Sequence, residues 1–179
     1  MQRMTRMTLF LVVVTAVAAA TARAQSTASA SSGLDGKAAF ERLKQLAGNW
    51  EGTAGSKEGP PAQIRYELVS NNSVVMETLF PGTDHEMRSV YHMDGSDLVM
   101  THYCALGNQP RMKLAAKASK PDELVFDFVG GTNFDPAKDA HIHGGKIRLV
   151  DADRIEAEWA FYQGSKPADV NRLFVARKK

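Results

Sequence analysis

The chain contains one cysteine, Cys104, among its 179 residues. That excludes a disulfide framework and any zinc site built on a C-x-x-C pair. It also has no His-Glu-x-x-His segment and no serine nucleophile elbow. Gly130-Gly131-Thr132 has neither a following lysine nor a helical pattern after it, so it is not a phosphate-binding loop. No apolar run reaches the roughly 20 residues that a membrane-spanning helix needs. Charge of one sign is scarce too, with 22 Lys and Arg against 20 Asp and Glu. The 44% of apolar residues, with no low-complexity bias over most of the chain, excludes a disordered or collagen-like protein. The length fits one domain with a core of its own.

The first residues have a separate character. Arg3 and Arg6 stand in an acid-free start, Met7–Ala20 is apolar apart from two threonines, and Ala22-Arg23-Ala24 places small residues where a signal peptidase reads them. This pattern predicts a signal peptide over residues 1–24 and an exported protein, periplasmic or extracellular. No cysteine lies near the cut, so no lipid anchor is expected and no membrane anchor after cleavage. Removal of Arg3, Arg6 and Arg23 takes 22 bases to 19, against 20 acids. The near-neutral remainder gives no electrostatic reason to expect nucleic acid as a partner.

Residues 25–33, rich in Ser, Ala and Thr, read as a flexible linker, and residues 34–179 as the folded domain. Leu34–Leu46 reads as a short helix, capped by Asp35, with Phe40, Leu43 and Leu46 on one stripe. From Asn49 the texture becomes that of strands. Ten runs rich in β-branched and aromatic residues follow: Trp50–Ala54, Ile64–Ser70, Val74–Phe80, Met87–Met93, Leu98–Cys104, Met112–Ala116, Leu124–Val129, Lys146–Val150, Ile155–Tyr162 and Asn171–Arg177. Asn71-Asn72 and Asp94-Gly95 between them suit tight hairpin turns, because Asn and Gly tolerate positive φ. Short sequential hairpins predict an all-β fold: an antiparallel up-and-down β-barrel of about ten strands behind a short N-terminal helix, closed so that no sheet edge is exposed.

The junction Leu46-Ala47-Gly48-Asn49-Trp50-Glu51-Gly52 carries the G-x-W pattern that opens the first strand in the calycin superfamily. In this respect the chain resembles lipocalins, fatty-acid-binding proteins and nitrobindin-like barrels, as a secreted bacterial type. The resemblance implies that Trp50 plugs one end of the barrel as a structural residue. It also implies that an Arg of the last strand, Arg172 or Arg177, lies across the indole. The chain departs from lipocalins in having no helix after the last strand. It departs from nitrobindin-like barrels in having no His in Ala168–Arg177, where a haem ligand would stand.

Alternation assigns the interior. Ile64, Tyr66 and Leu68 share one face; so do Leu124, Phe126 and Phe128; so do Ile155, Ala157, Trp159 and Phe161. A mostly apolar ligand inside the barrel would meet Tyr66, Met100, Phe126 and Trp159, with His102 as polar anchor. Cys104 follows His102 on the same face. His141 and His143, two apart in extended chain, could reach one metal if a third ligand joined them. The leading expectation is a binding protein for a small apolar molecule, with no cofactor required and no catalytic residue assigned. A metal-dependent or haem-type barrel protein or enzyme using His102, His141 and His143 is the second expectation. A filled barrel that binds another protein through outward apolar residues, such as Val75 and Leu79, is the third.

Overall fold

The computed structural model describes residues 33–179. The expected signal peptide of residues 1–24 and all but the last residue of the expected linker lie outside the described residues. One helix, α1 (Gly36–Lys44), precedes ten strands. These are β1 (Gly48–Ala54), β2 (Pro61–Val69), β3 (Val74–Leu79), β4 (Met87–Asp94) and β5 (Asp97–Tyr103), then β6 (Gln109–Leu114), β7 (Glu123–Thr132), β8 (Ala140–Asp151), β9 (Arg154–Gln163) and β10 (Lys166–Arg177). Every strand pairs antiparallel with its sequence neighbours, and β1 pairs with both β2 and β10, which closes the barrel.

The local chemistry explains these elements. The Asp35 side chain accepts from the Ala38 amide at 2.8 Å, so it caps α1 as the sequence predicts. The helix ends without a glycine cap of its own. Instead, the Arg177 guanidinium donates to the carbonyls of Gln45 and Ala47, groups that a helix C-terminus otherwise leaves unpaired. Asn71 and Asn72 sit at φ 54° and 62°, and Gly95 at φ 60°, the left-handed conformations that turn the β2–β3 and β4–β5 hairpins.

Phe40, Leu43 and Leu46 are buried against one end of the barrel, where Trp50 is also buried. The Trp50 indole donates to the Leu46 carbonyl at 2.8 Å, and the Arg177 guanidinium carbon lies 4.3 Å from its ring centroid. Arg177 thus fills the position across the tryptophan. Arg172 does not: it lies midway along β10 near Glu158, with Nε 3.8 Å from the carboxylate.

Two sequence expectations need correction. Val75 and Leu79 face inward, opposite Leu68 and Ile64 across the β2–β3 ladder, and both are buried. They offer no outward apolar surface. The run Val74–Leu79 is largely apolar on both faces, so its own alternation cannot set its phase; the register with β2 does. The second correction concerns residues 140–145, which lie outside the runs expected to form strands. They form the first half of β8, with a register shift between Ile142 and Gly144 on the β9 side.

Candidate functional site

The barrel interior is divided. The half nearer α1 is filled, and Tyr66, Met100 and Phe126 belong to it, each about 1% exposed. The other half holds a cavity of about 480 Å³. Its walls come from the strand ends opposite α1: Ala54 of β1, Leu79 of β3, Met87 of β4, His102 of β5, Ile142 of β8, Trp159 and Phe161 of β9 and Asp169–Leu173 of β10. Cys104, Ala105 and Leu106 form part of its rim, and Leu106 is 56% exposed.

Of the five residues expected to bind a ligand, His102 and Trp159 line the cavity, while Tyr66, Met100 and Phe126 do not. Phe126 still touches the site indirectly, its ring centroid 6.5 Å from that of Trp159. Met100 stands opposite Met112 and Tyr91 in its two ladders, which explains why this end of the interior is packed. A volume of about 480 Å³ lies within the roughly 300–1,000 Å³ range of small-molecule sites.

The polar groups beneath the cavity are the main structural finding. Glu77 on β3 is completely buried. Its Oε1 accepts from the Tyr66 hydroxyl at 2.6 Å and its Oε2 from the Tyr91 hydroxyl at 3.0 Å. Ser89 stands opposite both Glu77 and His102 in adjoining ladders, between the two. Its Oγ lies 3.1 Å from Nδ1 of His102. Burial pushes the Glu77 carboxyl above its ordinary value, and hydrogen bonds from Tyr66, Ser89 and Tyr91 oppose the rise. Burial, with the charge of Glu77, also pushes both tyrosines well above theirs. Burial lowers His102 to about 4, so its ring is neutral near pH 7.

Two nitrogens of the cavity residues have no partner. Nε2 of His102 and Nε1 of Trp159 are buried and make no hydrogen bond among the described residues. Each side chain is about 5% exposed. Thr78 and Asn108, which do not line the cavity, also leave a buried oxygen unpartnered, so the two nitrogens mark residues of the cavity wall without by themselves defining a ligand.

Sequence reasoning missed Glu77, Ser89 and Tyr91. A signal existed for the first: in β3, Val75, Glu77 and Leu79 alternate together, which puts an acid on an apolar face. That pattern becomes visible only once the phase of β3 is known.

His141 and His143 do not line this cavity. Nε2 of His141 is 2.9 Å from Nδ1 of His143, and Nδ1 of His141 is 2.9 Å from the Asp139 carbonyl. The His143 ring stacks between Phe128 and Tyr162, at centroid distances of 4.5 and 4.0 Å. Among the described residues no group of three His, Cys, Asp or Glu is placed to hold a metal ion. The nitrogens a metal would take from His141 are engaged, and the pair belongs to an aromatic cluster at the β7–β8–β9 edge of the barrel.

No known family model matches the sequence, and no curated protein matches it. The closed ten-stranded antiparallel barrel is compatible with a calycin-like barrel.

Proposed function

We propose that this chain is an exported, calycin-like binding protein that holds one small, largely apolar molecule in the cavity at the end of the barrel away from α1. The observation that carries the reading is the cavity itself, about 480 Å³ within mainly apolar walls that include Trp159 and His102. Apolar burial would supply most of the affinity. Export is supported by the charge, hydropathy and small-residue pattern of residues 1–24.

The test uses the protein's own fluorescence. Of its two tryptophans, Trp50 lies under Arg177 and Trp159 lines the cavity. Titration with medium-chain apolar molecules should shift Trp159 emission, and Trp159→Phe should remove the shift. A folded protein that binds none of a panel of apolar alcohols, ethers, acids and aromatic hydrocarbons by calorimetry would overturn the reading.

A further inference from the structure

The two faces of β10 narrow the ligand class, an inference that rests on the binding role proposed above. Across the β9–β10 ladder, Asp169 stands opposite Phe161, Asn171 opposite Trp159 and Leu173 opposite Ala157. Trp159, Ala157 and Leu173 are buried inside the barrel. Paired residues share a face, and alternate residues of a strand do too, so Asp169 and Asn171 point inward with them. Both line the cavity and both are exposed, which places them at its mouth. Arg172 falls on the other face. It stands across from Glu158, with Nε 3.8 Å from that carboxylate, so its charge lies on the outside of the barrel. The cavity walls hold no other Lys or Arg among the described residues, and His102 is neutral near pH 7. Asp169 is therefore the one charged group that the described inner wall presents to the cavity. Its Oδ1 accepts from the Val170 amide at 2.7 Å, and it forms no ion pair among the described residues.

We propose that the cavity takes a cationic amphiphile, an ammonium on a hydrocarbon body, with the hydrocarbon among Leu79, Met87 and Ile142 and the ammonium at the β10 rim against the Asp169 carboxylate and the Phe161 ring. Cross-strand partners hold their Cβ atoms about 4.5–5.5 Å apart, so one cation can reach both side chains. The carboxylate accepts charge-assisted hydrogen bonds, and the ring supplies a cation–π face. The side-chain carbonyl of Asn171, the next inward residue of β10, adds a neutral acceptor. An uncharged head gains neither the ion pair nor the cation–π contact. A carboxylate head meets Asp169 with like charge and finds no inward cation to offset it. Because Asp169 and Asn171 are exposed, an ammonium beside them keeps part of its water and escapes the cost of full burial.

Calorimetry at neutral pH with three probes of matched chain length tests this: octylammonium, 1-octanol and octanoate. An exposed ion pair and an exposed cation–π contact together amount to about tenfold in affinity, so octylammonium should bind about tenfold tighter than octanol, with octanoate weakest. Asp169→Asn keeps the shape and the acceptor that the Val170 amide uses, on an exposed side chain, so the fold is retained. In that variant octylammonium and octanol should come to within about threefold of each other, the cation–π contact alone remaining. Asp122→Asn removes the same charge beside Leu149, away from the cavity, and should keep the full preference. Equal binding of octylammonium and octanol by the wild-type protein, tighter binding of octanoate, or the same preference in both variants would each overturn the ammonium assignment while leaving a binding cavity in place. Binding of none of the three, nor of any other apolar probe, would instead remove the binding role itself.

Discussion

Arg177 lies over Trp50, with its guanidinium carbon 4.3 Å from the ring centroid, and the same guanidinium holds the last carbonyls after α1. One side chain thus ties the last strand, the first strand and the helix that closes the barrel end. A cation–π contact together with charge-assisted hydrogen bonds of this kind is worth about 2–3 kcal/mol. Arg177→Ala should therefore lower the melting temperature by roughly 5–10 °C in a domain of this size. Arg172→Ala, which removes an exposed and long contact to Glu158, should leave it within about 2 °C. Thermal unfolding followed by circular dichroism compares the two. Equal losses would mean that the indole contact contributes nothing.

Glu77 supports the floor of the cavity. Glu77→Ala would strand the hydroxyls of Tyr66 and Tyr91 in an apolar interior and leave a void. Each orphaned hydroxyl costs about 1–3 kcal/mol, so a loss of about 3 kcal/mol or more is expected. Glu77→Gln keeps one acceptor oxygen and should lose about half as much. Urea unfolding of the three proteins measures the series. An alanine variant as stable as wild type would show that the tyrosines find other partners.

How legible was this arrangement in the sequence? Hairpin chemistry at Asn71-Asn72 and Asp94-Gly95, together with the G-x-W junction, was sufficient for the barrel, its strand number and the role of Trp50. These are local signals, and closure follows from them because a meander of ten strands has two edges to satisfy. The site was legible only in part. His102 and Trp159 reach the cavity because their strands alternate cleanly. Tyr66, Met100 and Phe126 alternate just as cleanly, but they lie deeper, and depth along a strand is set by barrel stagger, which no single strand records. Glu77 was hidden by the ambiguous phase of β3. The strand that holds His141 and His143 was left out of the expected runs because Gly144 and Gly145 read as breakers. In the barrel, Gly145 lies against the Trp159 ring, where a Cβ would come within 2.4 Å of it.

That histidine pair should behave as packing. His143 is held between Phe128 and Tyr162, and His141 is fully buried with both ring nitrogens engaged. His141→Ala should cost about 2–3 kcal/mol of stability and leave binding at the cavity unchanged, since neither histidine lines it. Excess zinc should leave the wild-type melting temperature unmoved. A rise of several degrees with zinc that His141→Ala abolishes would restore a metal role.

Cys104 is a half-buried free thiol on the cavity wall, with its sulfur 4.0 Å from that of Met87. A molecule in the cavity should shield it. Modification by a thiol reagent such as dithionitrobenzoate should slow at least fivefold when a bound apolar molecule saturates the site, and recover on its removal. An unchanged rate in the presence of a ligand shown to bind would place that ligand elsewhere than in this cavity.

The two buried titratable groups on either side of Ser89, Glu77 and His102, should pull stability in opposite directions with pH. His102 has a folded value of about 4 against an ordinary 6.5, so below 6.5 the unfolded chain binds more protons than the folded one. Its contribution is complete above pH 6.5 and is lost as pH falls through about 4, a change of about 3 kcal/mol. Glu77 is raised from an ordinary value of 4.5, so above that pH the folded chain holds its proton longer than the unfolded chain does. Its contribution is complete below 4.5 and declines as pH rises through the folded value. In the wild-type protein the slopes oppose each other from pH 4.5 upward, for as long as both groups titrate. Urea unfolding across this window should show stability rising more steeply with pH in Glu77→Gln than in wild type. In His102→Gln the rise should vanish, leaving the decline that Glu77 imposes. Parallel pH profiles for all three proteins would mean that neither group titrates differently on folding, and the polar floor of the cavity would lose its energetic basis.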